Sequence, residues 1–232
     1  VPSGFRARDN FCHPVSDGSD AVEFVLEPEP PRAQRRFSLA HITDTHVVVE
    51  EVAMKWGAVM AGDSGEILAQ DLMQLVDEVS PDLIIASGDL TNMGTLSELR
   101  SFRKAIQCIQ TPVIPVFGGH DGNEERYAGE AGTTFVRHYE QILGPTYFSF
   151  DWGGRHFALY PNEETFFSPA DQARKRKWFW ADLTLQPEDR PIVVVVHTPP
   201  STEFLEELDR YNVSVVLHGH WHSSKAFVHH GI

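Results

Sequence analysis

The chain has 232 residues, of which 41% are hydrophobic and 22% charged, proportions typical of a globular domain with its own core. Acidic residues outnumber basic ones by 33 to 19, which gives a formal net charge of −14 at pH 7. This charge repels phosphate backbones, so no nucleic-acid partner is expected, and no apolar run is long enough to predict a membrane span. Cys12 and Cys108 fit neither a CxxC metal site nor a disulfide-rich scaffold.

Residues 1–31 are Pro-rich and irregular, with one short predicted strand in AVEFVLEP, and they end in the breaker EPEPP. We interpret them as a separate segment that ends in a linker. RFSLAHITD then predicts a buried strand, and apolar residues on one face predict a helix over 65–79. DLIIASGD predicts the next strand, and TLSE gives a capping box for a helix over 95–110.

The second half of the chain continues the alternation of strands and helices. PVIPVF predicts a strand, and YFSFDWGGRHFALY predicts a hairpin that turns near Gly153 and Gly154. A helix over 170–185 precedes PIVVVVH, and the short helix TEFLEELDRY precedes the strand VSVVLHGH. We expect a final strand in KAFVHHGI. Continuous apolar strands that alternate with helices predict an α/β protein with covered sheets.

Potential metal ligands follow the apolar strands. In α/β sheets, functional groups gather outside the carboxyl ends of the strands, so these side chains are expected to converge. Two i,i+2 pairs in extended backbone can each grip one ion. Oxygen and imidazole donors without thiolate suit Mn, Fe, Zn, Co or Ni. The residues are Asp44, His46, Asp89, His120, Asp121, His197, His220 and His222.

The other histidines match no ligand spacing, and we assign them to core or surface roles: His41, His138, His156, His218, His229 and His230. The basic run RKRKWFW suggests either nucleic-acid contact or an amphipathic helix. We favour a helix with a solvated basic face and aromatic side chains packed inward.

The ordered motifs DTH at 44–46, GD at 88–89, GGHD at 118–121, HTPP at 197–200 and GHWH at 219–222 resemble those of the calcineurin-like metallophosphoesterases. The resemblance spans residues 37–222. It implies a four-layer αββα sandwich of two mixed β-sheets flanked by helices, with a site for two divalent metal ions. It also implies hydrolysis of phosphate mono- or diesters by a hydroxide that bridges the metals.

The resemblance assigns a role to each motif residue. Asp44, His46 and His222 would hold one metal, and His197 and His220 would hold the other. Asp89 would bridge the two ions. His120 would be the general acid, with Asp121 as a candidate partner that orients it, while Asn92 stands where many relatives have an aspartate.

One expected ligand is missing, because Gly119 stands where the family has an asparagine that contributes an amide oxygen to the second metal. Water fills this position, or Asn123 reaches back to it, or the chain is a degenerate metal-binding module with little or no hydrolysis. The intact Asp89 and His120 favour an enzyme, whereas Gly119 and Asn92 favour the degenerate module.

In some exported members of the family, a small β domain precedes the phosphoesterase. We therefore interpret residues 1–31 as the tail of such a domain with its linker, and 37–232 as a phosphoesterase domain that lacks its C-terminal strands. Both features favour an exported or periplasmic protein as the source. Nothing in the loops at 47–64 and 123–132 identifies a substrate.

Overall fold

Two β-sheets flanked by helices form the centre of the protein in a computed structural model, which describes residues 5–7, 25–28, 36–49, 52–53, 59–60, 64–122 and 131–232. The strands are β1 (Phe5–Ala7), β2 (Leu26–Pro28), β3 (Leu39–Ile42), β4 (Val52–Ala53), β5 (Val59–Met60), β6 (Leu83–Ala86), β7 (Val113–Pro115), β8 (Phe148–Trp152), β9 (Arg155–Leu159), β10 (Ile192–Val195) and β11 (Val213–Leu217). The helices are α1 (Ser64–Val79), α2 (Leu96–Ile106), α3 (Ala131–Ile142), α4 (Pro169–Thr184) and α5 (Thr202–Leu208).

The smaller main sheet has the order β3-β6-β7, and its described strands all pair in parallel. Helices α1 and α2 make the two crossovers, as parallel neighbours require. The larger sheet has the order β11-β10-β9-β8 and is mixed, because β8 and β9 form the predicted hairpin while β9, β10 and β11 run parallel. The pairs β1–β2 and β4–β5 are separate two-stranded sheets.

The space between the two main sheets is filled by alternate residues of their strands. Leu83 and Ile85 of β6 pack in one cluster with Phe157 of β9 and with Val193 and Val195 of β10. Because successive side chains on a strand point to opposite faces, these alternate residues identify the faces on which the two sheets pack together. The inner faces therefore form one apolar layer, as in two sheets stacked face to face.

Helices cover the outer faces of both sheets. Ala86 of β6 packs in a cluster with Phe102 of α2 and Tyr139 of α3. On the opposite side, Val194 of β10 packs with Phe179 of α4. The layer order is helix, sheet, sheet, helix, which confirms the predicted α/β fold class. No helix in the described part of the chain is long and apolar enough to cross a membrane.

Two elements differ from the sequence-based predictions. KAFVHHGI is not a strand, because its end closes on itself through backbone hydrogen bonds between His229 and Ile232, and Gly231 has a φ of 104°. Helix α3 was not predicted, since Gly132, Thr133 and Thr134 in its first turn are weak helix formers. Most of residues 1–31 lie outside the described residues, and the predicted strand there is described only as β2.

Candidate metal centre

The predicted ligands lie in loops that continue beyond parallel strands. After β3 and β6 the two chains stay side by side, since Asp44 N donates to Gly88 O at 3.1 Å and His46 N donates to Asp89 O at 3.0 Å. The loops after β10 and β11 do the same, because Gly219 N donates to His197 O at 2.9 Å. The ends of β3, β6, β10 and β11 therefore bring their polar side chains to one edge of the sandwich.

The first group of converging side chains comprises Asp44, His46 and His222, whose ligand atoms all lie within 4.8 Å of one another. The Nε2 atom of His222 is 3.3 Å from Asp44 Oδ1 and 3.3 Å from His46 Nε2. Donor atoms bound tetrahedrally to one zinc-sized ion stand roughly 3.3 Å apart. This spacing therefore fits a single cation between the three side chains.

The second group comprises Asp89, His197 and His220, again with ligand atoms within 4.8 Å. His197 Nδ1 donates to Ser87 O at 2.8 Å, which leaves Nε2 to face Asp89 Oδ2 at 2.9 Å. The same Asp89 oxygen is 4.0 Å from His46 Nε2 in the first group. Asp89 Oδ2 thus lies between the two groups, and the family resemblance implies a bridging carboxylate at this residue.

The electrostatics of this edge also fit a cation. Burial lowers the pKa of His46 to about 4, so its imidazole is a neutral electron-pair donor at pH 7. Burial also disfavours protonated His197, but the adjacent Asp89 carboxylate outweighs it and raises the pKa of His197 to about 10. His46 Nδ1 is buried without a hydrogen-bond partner, whereas His197 Nε2 lies 2.9 Å from Asp89 Oδ2. A divalent ion would compete with the proton of His197 and take up its lone pair.

The backbone of the centre is strained. Asp44, His46, Asp89, His220 and His222 have φ values of 54°, 41°, 50°, 72° and 48°. A left-handed conformation costs a non-glycine residue about 1–2 kcal/mol and tends to occur at functional sites. Five of the six residues in the two groups adopt it, so the pairs Asp44/His46 and His220/His222 do not lie in the extended backbone that their spacing predicted, and His220 and His222 belong to different groups.

Two glycines allow the loops to approach closely. A Cβ atom at Gly88, whose φ is 96°, would lie 2.6 Å from the ring of His197. A Cβ atom at Gly219 would lie 1.9 Å from Thr43 Oγ1 and 2.8 Å from Asp44 Oδ2. The glycines of the GD and GHWH motifs are therefore required where the two sheets' loops meet.

His120 lies beside both groups, at a ring-centroid distance of 4.5 Å from His46. Its amide donates to Asp89 Oδ1 at 2.9 Å, and its Nδ1 lies 2.9 Å from the carbonyl oxygen of Asn92. A carbonyl only accepts hydrogen bonds, so Nδ1 carries the proton. Nε2 is then the nitrogen that can exchange a proton with a substrate.

The contacts of Asp121 correct the expectation that it orients His120. Its carboxylate accepts from the amides of Gly118 at 3.0 Å, Thr91 at 2.9 Å and Leu90 at 3.3 Å, and from the Thr91 hydroxyl at 2.8 Å. Asp121 therefore ties the loop after β7 to the loop after β6. Burial, with the nearby charge of Asp89, raises the pKa of Asp121 to about 7. The backbone carbonyl of Asn92 makes the contact that sequence reasoning gave to Asp121.

Gly119 is buried in the turn that carries His120, and its carbonyl accepts from Gly122 N at 2.9 Å. Its φ is not positive, in contrast to that of Gly88. This position therefore does not need glycine for its backbone conformation. Asn123, considered above as a replacement ligand, lies outside the described residues.

Sequence reasoning missed two residues that hold the loop after His197. Asn162 Oδ1 and Glu163 Oε1 accept from the amide of Thr198 at 3.0 and 3.1 Å, and Glu163 also accepts from the Thr198 hydroxyl at 2.6 Å. Burial raises the pKa of Glu163. Both residues follow β9, whose carboxyl end lies at the same edge because β9 is parallel to β10. The parallel pairing of β9 with β10 places both residues at this edge, but the sequence of the β8–β9 hairpin does not reveal that pairing.

The basic run on α4 is only partly solvated, which corrects the prediction of a solvated basic face. Lys175 is fully buried, donates to Pro161 O, and lies 4.3 Å from the centre of the Phe167 ring. Burial lowers its pKa to about 8. Arg174 and Arg176 are exposed and pair with carboxylates of their own chain. Lys175 therefore supports the segment that carries Asn162.

Comparisons with known proteins identify similar sequences and a similar fold. A sequence profile described as calcineurin-like phosphoesterase matches residues 37–224. A Synechococcus sp. protein named as a probable cyclic nucleotide phosphodiesterase is 26% identical over 203 residues, which are 81% of this chain and 74% of that protein. One from Xenorhabdus bovienii with the same name is 27% identical over 86 residues, covering 37% and 34%. The structure of phosphopantetheinyl hydrolase from Mycobacterium tuberculosis has a similar fold, with a TM-score of 0.51, 15% identity and coverage of 84% and 86%.

Proposed function

Because the chain belongs to the calcineurin-like phosphoesterase family, we propose that it hydrolyses phosphate mono- or diesters with two divalent metal ions at the centre around Asp89. The observation that carries this proposal is the pair of three-residue ligand groups with Asp89 Oδ2 between them. Asp44, His46 and His222 would hold one ion, and Asp89, His197 and His220 the other. The donor set suits Mn, Fe, Zn, Co or Ni.

When bound, the two ions would polarise the phosphoryl group and activate water as the nucleophile. The chain's own contribution to bond cleavage is His120. As the new P–O bond forms and the ester P–O bond breaks, the leaving oxygen takes the proton that Nε2 carries when both ring nitrogens of His120 are protonated, and the neutral ring with its proton on Nδ1 remains. The hydrogen bond from Nδ1 to Asn92 O at 2.9 Å fixes the orientation of the ring and keeps Nδ1 protonated throughout.

Diesters are the first substrates to test, since both similar proteins are named as probable cyclic nucleotide phosphodiesterases. The second candidate function is a degenerate metal-binding module with little or no hydrolysis. It is favoured by Gly119, which contributes no amide ligand to the second ion. The two candidates differ in turnover with both metals bound, so metal content and activity are measured on the same preparation.

The test is elemental analysis together with hydrolysis of model monoesters, diesters and cyclic nucleotides in Mn, Fe, Zn, Co or Ni. Asp89→Asn should lower the metal content of both groups and abolish hydrolysis, because its carboxylate lies between them. Asp77→Asn, at an exposed position on α1, is the matched control. Near-normal metal content and turnover in Asp89→Asn would reject the bridging role. Full metal loading without hydrolysis of any ester in the unchanged protein would favour the degenerate module.

A further inference from the structure

A second cluster of potential metal ligands lies where the end of α5 meets the last turn of the chain. Asp209, His229 and His230 place their ligand atoms within 4.8 Å of one another, and none of them belongs to the centre around Asp89. Asp209 Oδ2 is 2.7 Å from His230 Nδ1 and 3.8 Å from His229 Nε2. Two imidazoles therefore converge on one carboxylate oxygen, although we assigned both histidines to core or surface roles from the sequence.

Main-chain contacts hold both sides of this cluster in place. Asp209 is the C-cap of α5, and its amide donates to Leu205 O at 3.1 Å. On the other side, His229 N donates to Ile232 O at 3.0 Å and Ile232 N donates to His229 O at 2.8 Å. Ile232 packs against the apolar cluster that contains Leu208. The geometry thus does not depend on the side-chain contacts alone.

Two observations distinguish the cluster from an ordinary surface ion pair. His229 Nε2 is buried and has no hydrogen-bond partner, although Asp209 Oδ2 is only 3.8 Å away. His230 has a φ of 46°, within the 41° to 72° range of the residues around Asp89. In the described part of the chain, seven non-glycine residues have positive φ, of which five belong to the main centre and a sixth is His230.

We propose that Asp209, His229 and His230 bind one divalent transition-metal ion, which joins the terminal turn to α5. Two imidazoles and one carboxylate favour Zn, Co, Ni or Cu over Mg and Ca, which prefer all-oxygen sites. The distances of 2.7 and 3.8 Å bracket the roughly 3.3 Å between donor atoms of a tetrahedral zinc ion. Three protein ligands leave one position for water.

Zinc is the probe, and the readout is the number of ions per chain after equilibrium dialysis, which does not depend on activity. Asp209→Asn and His229→Gln keep the size of the side chain but should each remove one ion per chain. The same loss should occur in an Asp89→Asn background, which separates this site from the main centre. His138→Gln, which changes a histidine outside both clusters, is the control and should keep the full count.

His230→Gln provides a third variant at an exposed side chain, so that misfolding of the other two does not leave the question open. We expect each variant to weaken zinc binding at the cluster of Asp209, His229 and His230 at least about 10-fold, with an unchanged circular dichroism spectrum. The rise in melting temperature produced by zinc should also be smaller in all three variants than in the unchanged protein. Equal stoichiometry and affinity in the unchanged protein and the folded variants would overturn the proposal.

Discussion

At the scale of single residues, His120 is held at three points. Its amide contacts Asp89 Oδ1, its Nδ1 contacts the carbonyl of Asn92, and its ring packs edge-on against His46. This arrangement presents one ring nitrogen to whatever occupies the centre. It also couples the position of His120 to the carboxylate between the two ligand groups.

The first prediction tests whether His120 is an acid or a ligand. His120→Ala should keep the metal content and lower kcat by roughly 10²–10⁴-fold for esters with poor leaving groups, which need protonation most. Esters with good leaving groups should be slowed much less. The measurement is kcat against leaving-group pKa for both proteins. Equal slowing across the series would exclude a general acid, and loss of metal would make His120 a ligand together with His46 and Asp89.

The second prediction concerns the missing amide. Gly119→Asn should restore the oxygen donor that the family resemblance implies for the second ion, and so lower the metal concentration that gives half-maximal activity. The substitution is compatible with the backbone, because the φ of Gly119 is not positive. A metal titration of activity and stoichiometry compares the two proteins. Gly118→Asn is the contrasting variant and should misfold, since a Cβ there would lie 2.2 Å from Asp89 N.

If Gly119→Asn folds normally but gains neither metal affinity nor activity, the missing amide is not what limits binding of the second ion.

The motifs alone identified the residues of the metal centre, because each motif comes directly after an apolar strand whose direction the chain order implies. They could not predict that Asn92 contacts His120 through its main chain, since every residue type has a carbonyl. Nor could they predict the left-handed backbone of Asp44, because an i,i+2 pair after an apolar strand indicates extended backbone.

At the scale of elements, one buried histidine links the β8–β9 hairpin to α4. His156 Nδ1 lies 2.9 Å from Asp151 Oδ1, and its Nε2 lies 2.8 Å from Asp182 Oδ2. Arg190 also contacts Asp151. Burial lowers the pKa of His156, but the two carboxylates outweigh it and raise the pKa above its usual value. Protonated His156 therefore donates to one carboxylate from each element.

The third prediction is the pH dependence of this link. Since the folded pKa of His156 is raised, its stabilisation is fully present below the unfolded pKa of about 6.5 and is lost as the pH rises through the folded value. His156→Gln should therefore lower the melting temperature more at pH 6 than at pH 9. The measurement is the difference in melting temperature across that range, with His138→Gln as the control. A difference that is constant or grows with pH would contradict the assignment.

Elements with strong apolar periodicity were predictable, and elements that depend on a distant partner were not. Helix α2 begins after its capping box, in which Glu98 N donates to the Thr95 side chain at 3.3 Å. By contrast, α3 is stabilised by the packing of Val136 and Tyr139 into a core cluster, which no local sequence pattern indicates. Lys175 resembles its solvated neighbours in sequence, and only the rings and the carbonyl above it explain its burial.

At the scale of the whole molecule, we expect metal binding to be coupled to folding. The chain carries a net charge of −14, and at the centre the carboxylates of Asp44 and Asp89 lie 4.0 and 2.9 Å from Nε2 of His197, which follows a strand of the other sheet. Ions held between these loops would connect the sheet β3-β6-β7 to the sheet β8–β11. The fold class followed from the alternation of strands and helices. Which strands share a sheet did not, because strand pairing is not a local property.

The fourth prediction follows from this coupling. A ligand at 100 times its dissociation constant stabilises the folded state by about 2.7 kcal/mol, which corresponds to roughly 5–10 °C in melting temperature for a chain of this size. Removal of the metal by a chelator should lower the melting temperature by about that amount, and added metal should restore it. Differential scanning calorimetry before and after reloading makes the measurement. An unchanged melting temperature in chelator would show that the ions do not join the two sheets.

The left-handed backbone around the metal centre has a consequence for how the chain tolerates change. In the metal-free protein, glycine at positions such as His46 and His220 would stabilise the folded state by about 1 kcal/mol each, because glycine adopts a left-handed backbone without steric cost. Replacements that destroy the centre would therefore relax the fold and leave it intact. Selection for a stable fold therefore does not preserve these side chains. A lineage that no longer needed the chemistry would lose them first, while its two sheets remained.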